Sequence, residues 1–410
     1  MTAELLNEAT RQFVSQHAHD DVRRLALRGC KDPGVDITLA LQQIQGRQTA
    51  RRKLPSWAAT EGIVYPPHLN MEQCSSELTA LYKARIVSSL PAISRLVDLT
   101  GGFGVDCAFM ARATPQAVYV ERDERLWAIA THNFALLGIS NVTTRCTDAE
   151  TFLAADSPAP TLFYIDPARR DAHGGRTYAL ADCTPNAAAL MPALLQKAPC
   201  AMLKLSPMLD WRKAVADLLP HSTGEVHIVA VDNECKELVL TLSAATAGDC
   251  RQPAATPRLV CANILSRDGS TTIYTPTPHP ADTRTQAWTG PLPAYLYEPN
   301  AAVMKGGCFR ELEADFGIGQ LSANSHLFLA DRLIDGFPGR HYRIEAACTM
   351  NKRELKATLG RLSQACITVR NFPITAEQLR QRLRLADGGT HHIFATTRAD
   401  GTHTLLLCTP

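Results

Sequence analysis

A chain of 410 residues, 45% hydrophobic and 20% charged, is long enough for several buried cores and too ordinary in composition to be fibrous or disordered. Its net charge of +2 excludes a polycation that holds nucleic acid by bulk charge. No apolar run approaches the roughly 18–20 residues of a membrane helix, so no membrane partner is expected.

The thirteen cysteines are scattered, with no C-x-x-C pair and no Cys/His cluster. They are expected to be small buried thiols in a reducing compartment, with no zinc site and no other metal. The opening residues are polar and mixed in charge, without the apolar stretch of a signal peptide. A cytoplasmic location is therefore expected. Oligomeric state is not legible.

Residues 1–90 read as a helical domain. Leu39, Leu41 and Ile44 recur at helical spacing, and a helical pattern restarts near Met71 and runs to Leu90. From 91 to 250 the pattern changes to an α/β alternation. Apolar runs at Leu96–Leu99, Val118–Val120, Val142–Cys146, Leu162–Ile165 and Ala201–Leu205 are separated by helical stretches. This predicts a Rossmann-like domain with a doubly wound parallel sheet. Two more runs, Val226–Val231 and Leu238–Leu242, are too close for a crossover and should form an antiparallel pair. The expected sheet is seven-stranded and mostly parallel.

Residues 247–258 form a Pro-rich polar linker. Two short strands near 259–265 and 271–275 follow, then a helical piece from Pro299 to about Phe316. From Tyr342 to Leu407 the order is strand, helix, strand, helix, strand, strand: a compact α+β unit. Between 331 and 400 there are 12 Lys+Arg against 7 Asp+Glu, a local excess of +5 that permits an anionic partner.

The densest chemistry lies at the ends of the strands. The run Leu96 to Asp106 is an apolar strand, an acid (Asp98), a turn of Thr100, Gly101, Gly102, Phe103 and Gly104, and the start of a helix. A cofactor edge must approach the backbone where the sheet opens, and a Cβ would block it. Gly102 and Gly104 are expected to fill that need. A dinucleotide would put its pyrophosphate on this helix start, but the third Gly of that pattern is missing. S-adenosylmethionine has no phosphate and tolerates an acid beside the turn.

Glu121 ends the second strand, 23 residues after Asp98, where a carboxylate can accept both ribose hydroxyls. Arg122 follows it. Asp148, followed by Ala149, ends the third strand; it can accept an adenine amino group, cap the next helix, or do both. The fourth strand ends in Asp166-Pro167-Ala168-Arg169-Arg170. Beside the first strand, Asp166 and Pro167 would face the reacting methyl group, Asp166 accepting from or deprotonating a nucleophile. Arg169 and Arg170 suit a phosphate or carboxylate. Lys204, ending the fifth strand, either lines the same cleft or is solvated. The polar loop Asp171–Pro185, with Gly174-Gly175, is a candidate cover.

Taken together these motifs resemble the class I S-adenosylmethionine-dependent methyltransferases over about 90–245. The pattern from Asp98 to Asp106, with Val120-Glu121-Arg122 and Tyr164-Ile165-Asp166-Pro167, is most similar to bacterial guanine-N2 methyltransferases of small-subunit rRNA. The resemblance implies a cofactor site of Asp98, Gly102, Gly104, Glu121 and Asp148, with Asp166 at the transfer centre. Two departures stand out. Thr100 replaces the usual first Gly, and no aromatic follows Pro167.

Leu69–Ala84 and Tyr295–Lys305 further resemble a bacterial methyltransferase family with a C-terminal THUMP-like domain. That resemblance implies a ferredoxin-like piece at 255–330, a THUMP-like domain at 331–410 and an RNA partner, tRNA or rRNA. The expected function is base methylation of RNA. The alternatives are methylation of a small molecule or protein, and a non-catalytic RNA-binding protein on the same fold.

Overall fold

Six helices precede the first strand: α1 (Glu8–Gln16), α2 (Val22–Arg28), α3 (Ile37–Lys53), α4 (Pro55–Ala59), α5 (His68–Gln73) and α6 (Glu77–Ser89). Side-chain oxygens of Asn7, Asp21, Asp36 and Ser76 cap the backbone N–H groups of α1, α2, α3 and α6. The helical stretch expected from Met71 to Leu90 is two helices, because Ser76 caps a fresh start at Glu77. The computed structural model describes residues 5–155, 159–169, 180, 183–218, 222–243, 257–279, 288 and 290–410. These fall into two units: residues up to His227 with Lys236–Arg258, and Ile228–Cys235 with Leu259–Pro410.

The first unit continues with β1 (Arg95–Asp98), α7 (Val105–Met110), β2 (Gln116–Glu121), α8 (Glu124–Leu136), β3 (Val142–Cys146), α9 (Ala149–Ala154) and β4 (Leu162–Ile165). A two-residue pair, β5 (Ala168–Arg169) with β6 (Cys183–Thr184), leads to α10 (Ala187–Lys197), β7 (Cys200–Leu205), α11 (Trp211–Leu218), β8 (Ser222–Val231) and β9 (Glu234–Ser243). The strand order is β8-β9-β7-β4-β1-β2-β3. Pairs β1–β2, β2–β3, β1–β4 and β4–β7 are parallel, and β9 is antiparallel to β7. Every residue of β4 is buried, as a central parallel strand covered on both faces requires. Asp232 and Asn233 join β8 to β9 with φ of 48° and 65°. Positive φ at both central residues is the turn that reverses a chain into a hairpin.

The expected seven strands are present, and the sheet does not end with them. β10 (Arg258–Ile264) and β11 (Thr271–Tyr274) extend it beyond β8 to nine strands. The four residues Ile228–Val231 at the end of β8 group with the second unit, as do β11 and all of β10 after Arg258. Spacing along the chain gave no sign of this pairing, because hydrogen bonding across a long separation leaves no local pattern.

The N-terminal helices form a core around the glycine-rich turn. Phe103 of that turn packs on Trp57 of α4 at 4.8 Å between ring centroids, within a buried cluster that includes Tyr65, Phe109 and Phe134.

The second unit adds β12 (Tyr295–Pro299), α12 (Ala301–Gly306), α13 (Phe309–Phe316), β13 (Gly319–Gln320), β14 (Phe328–Ala330), β15 (Gly339–Thr349), α14 (Lys352–Leu359), β16 (Cys366–Arg370), α15 (Ala376–Leu383), β17 (His392–Thr397) and β18 (His403–Thr409). Its sheet runs β13-β14-β12-β15-β18-β17-β16; β16 and β17 are parallel, and the other five neighbouring pairs are antiparallel. Leu359 of α14 and Leu379 of α15 pack into one core; Leu296, Tyr342, Phe394 and Leu406 form another. The single helical piece expected from Pro299 to Phe316 is two helices, since Gly307 at φ 64° ends α12. β12 was not expected; Pro299 at its end and the helix that follows at once obscured a five-residue strand.

Candidate active site

The carboxyl ends of β1, β2, β3, β4 and β7 open onto a cavity of about 800 Å³. Asp98, Thr100, Gly101, Gly102, Gly104, Glu121, Arg122, Asp148 and Ala149 all line it, and so do Asp166, Pro167 and Lys204. Residues spread over 107 positions thus converge on one hollow, as expected at the strand ends of an open α/β sheet. The backbone of Arg169 lies in β5, paired with Cys183. Arg170 lies outside the described residues, as does the cover loop at 171–179, including Gly174 and Gly175.

The three glycines of the turn do different work. A Cβ on Gly101 would lie 2.1 Å from the ring of Tyr119, and one on Gly104 would lie 2.8 Å from Phe134. Both are glycine because side chains press against the loop. Gly102 (φ +54°) has nothing nearer to its Cβ position than the Thr100 carbonyl oxygen at 3.9 Å, so its bare face is open. Of the two glycines expected to admit the cofactor, Gly102 has the free side and Gly104 is committed to packing.

Thr100, the departure from the usual glycine pattern, has a specific use. Its Oγ1 accepts the backbone N–H of Asp166 at 2.6 Å, tying the turn after β1 to the end of β4. Glu121 holds the turn from the other side. Its Oε2 accepts the N–H of Gly102 at 2.7 Å and its Oε1 that of Asp123 at 2.8 Å. A carboxylate has about four acceptor sites, so each oxygen keeps capacity for a further donor. Asp148 caps α9 by accepting the Thr151 N–H at 2.6 Å, which holds its carboxyl below the usual range.

Asp98 is 1% exposed. Burial pushes its carboxyl well above the usual range; the Thr100 N–H at 3.0 Å opposes this, while Asp106, Asp166 and Glu121 reinforce it. Asp166 is partly exposed to the cavity, and its Oδ2 lies 2.5 Å from Nζ of Lys204. Burial alone would lower the Lys204 ammonium, but the carboxylates of Asp166, Asp106 and Glu237 outweigh it and raise its pKa.

A second ionic group beside the cavity was missed from sequence. Lys83 of α6 is wholly buried, with Nζ 2.5 Å from Oε1 of Glu237 and 3.2 Å from Oδ1 of Asp106. Ser75 and Tyr164 each donate to Oδ2 of Asp106 at 2.8 Å. Burial opposes ionisation of Asp106, but Lys83 and Lys204 prevail and hold it low; burial raises Glu237. The available signal was Lys83 itself, which interrupts the buried stripe of Thr79, Ala80, Tyr82, Ile86 and Val87 on α6.

A nucleoside-sized hollow at the switch point of a parallel sheet, lined by acids and one bare glycine and with no phosphate cradle of the dinucleotide kind, defines a Rossmann-like methyltransferase site. Comparison with known proteins agrees. A crystal structure of a protein from Porphyromonas gingivalis W83, assigned as a methyltransferase, superposes with a TM-score of 0.83 at 30% identity, covering 98% of this chain and 97% of that one. An uncharacterised S-adenosylmethionine-dependent methyltransferase of Mycobacterium tuberculosis is 26% identical over 318 residues, 77% of this chain and 79% of that protein. Residues 295–338 match a ferredoxin-like domain family, and residues 339–410 a THUMP domain-like family.

The chain belongs to the class I S-adenosylmethionine-dependent methyltransferases that carry a C-terminal THUMP-like domain. The residues present fit that cofactor. The open face of Gly102 leaves the space a Cβ would fill, and Glu121 keeps acceptor capacity beyond the two backbone N–H groups it already takes.

Proposed function

We propose that this enzyme methylates a base of RNA, in tRNA or rRNA. The observation that carries the reading is the joining of a ferredoxin-like and a THUMP domain-like segment to the methyltransferase cavity in one chain. The excess of +5 between 331 and 400 supports it, since phosphate contacts supply much of the affinity for nucleic acid. The working division is a helical domain at 1–90, the methyltransferase domain at 91–250, a ferredoxin-like region at 255–330 and a THUMP-like domain at 331–410.

In this reading Glu121 accepts the ribose hydroxyls, Asp148 and Ala149 hold the adenine end, and the turn Asp98–Gly104 follows the cofactor's edge, with Arg122 beside it. When bound, S-adenosylmethionine supplies a methyl group already activated by its sulfonium, so the protein's share of the work is positioning and exclusion of water. Thr100 fixes the backbone of Asp166 and Lys204 fixes its Oδ2. Oδ1 is left to accept from the nucleophile's N–H and to take its proton as the new bond forms. Pro167 stiffens that corner, and Arg169 and Arg170 are assigned to substrate phosphate.

A reducing cytoplasmic location belongs to the same reading. The twelve described cysteines are all free, and no described helix is long and apolar enough to cross a membrane.

Mass-spectrometric comparison of modified nucleosides in total RNA, from cells with and without the gene, tests the substrate class. Loss of one methylated nucleoside supports RNA; an unchanged profile turns attention to a small molecule or protein. The missing aromatic after Pro167 is the feature that favours that second reading, because base enzymes use a stacking platform. Asp166→Ala is expected to leave cofactor affinity in calorimetry unchanged and to abolish turnover.

A further inference from the structure

The charges of the N-terminal helices are one-sided. α2 and α3 together carry seven Arg and Lys residues and no Asp or Glu. The two acids between them serve the backbone: Asp32 accepts the N–H of Gly34, and Asp36 caps α3 by accepting that of Leu39. Arg23, Arg24, Arg28, Arg51 and Arg52 are exposed, and among the described residues none of them forms an ion pair. The helix dipole favours cations in a last turn, which accounts for the end of α3. It disfavours Arg23 and Arg24, which stand in the first turn of α2. Leu27, between Arg24 and Arg28 on that helix, is 90% exposed. Nothing inside the fold explains this face.

We propose that the exposed arginines of α2 and the end of α3 form a track for the phosphate backbone of the RNA whose nucleotide enters the cavity. Hydrogen bonds join the track to the cavity wall. Gln48 of α3 donates to the Asp20 carbonyl at 2.9 Å and Arg51 to the His19 ring at 3.0 Å, which holds the start of α2 against the end of α3. Lys53, the last residue of α3, donates to the carbonyls of Met71 and Glu72 at 2.8 and 2.6 Å, which holds α5. α5 supplies Leu69, Asn70 and Gln73 to the cavity wall. The acids beside this path are engaged: Asp20 with His17, Asp21 as the cap of α2, Glu72 with His68 and Glu77 with Ser56. A guanidinium without a carboxylate partner presents its full fork of donors to a phosphate, and binding breaks no existing pair. The exposed Leu27 adds an apolar contact for a ribose or base face.

The inference rests on the RNA reading and adds to it a second docking surface, in the same unit as the cavity. Filter binding of the full chain to a tRNA transcript across a salt series tests it, because each phosphate contact contributes about 0.7–0.9 to the log–log slope. The triple variant Arg23→Gln, Arg24→Gln, Arg28→Gln is expected to flatten the slope by about two. Arg52→Gln, on the other helix, should flatten it by about 0.7–0.9 and serves if the triple variant does not fold. A control triple, Lys197→Gln, Lys213→Gln, Arg267→Gln, removes as many exposed cations from elsewhere and should keep the wild-type slope. An unchanged slope in the arginine variants, or an equal change in the control, overturns the proposal. Calorimetric affinity for S-adenosylhomocysteine should stay at the wild-type level in every variant; its loss would assign the arginines to the fold and overturn the proposal too. A wild-type chain whose tRNA binding does not depend on salt overturns the RNA reading with it, and is distinguishable on that ground.

Discussion

Gly101, Gly102 and Gly104 form one motif in sequence and three different solutions in space. Only Gly102 leaves a free face, so Gly102→Arg should abolish S-adenosylhomocysteine binding by calorimetry while circular dichroism stays native. Its φ of +54° adds strain of about 1–3 kcal/mol, within what a folded chain of this size tolerates. Asp98 makes an opposite kind of prediction. Its carboxyl is raised well above the usual range by burial, so the folded state binds a proton that the unfolded state has released. The stability it contributes is full below the unfolded pKa of about 3.9 and is lost as pH rises through the folded value. Asp98→Asn keeps the acceptor for the Thr100 N–H and removes that loss. The variant should therefore melt higher than wild type at neutral pH and match it near pH 3–4; a melting temperature that falls at neutral pH would refute the assignment. Both residues were legible as site candidates from the strand-acid-glycine pattern. The division of labour among the three glycines was not, because it depends on Tyr119 and Phe134 from other elements pressing on Gly101 and Gly104.

At the scale of elements, the site is set by where strands stop and helices start. Asp148 is at once the last acid before α9 and its N-cap, and the two roles separate by substitution. Asp148→Ala should cost about 1 kcal/mol in denaturant unfolding, the usual worth of a cap, whereas Asp148→Ser should recover most of it. If the carboxylate also serves the adenine, both variants weaken S-adenosylhomocysteine alike; retained affinity in both would restrict Asp148 to capping. The corner between α5 and α6 shows how much an element boundary matters. A continuous helix from Met71 would carry Ser75 round with the helical turn; the break before the Ser76 cap instead sets Ser75 against Asp106. The sequence held the signal for the break in the Ser-Ser step, but helical propensity on either side masked it.

At the scale of the whole molecule, the catalytic cavity and the C-terminal segments make one testable combination. Filter binding of the full chain to a tRNA transcript across a salt series should show affinity falling steeply, with a log–log slope of about −0.7 to −0.9 per phosphate contacted. A flat slope would leave the basic excess as a solvated face. What the sequence determined by itself was the local grammar: the alternation of strand and helix from β1 to β7, the antiparallel pairing of the runs Val226–Val231 and Leu238–Leu242, the acids at the ends of β1, β2, β3 and β4, and the α+β order near the C-terminus. These follow from periodicity and turn chemistry within a few residues. Tertiary structure alone decided the extension of the sheet from seven strands to nine, the burial of Lys83 between Asp106 and Glu237, and the use of Thr100 to hold Asp166. Each of those joins residues that are tens or hundreds of positions apart, and a hydrogen bond or ion pair across that distance leaves no period in the chain to read.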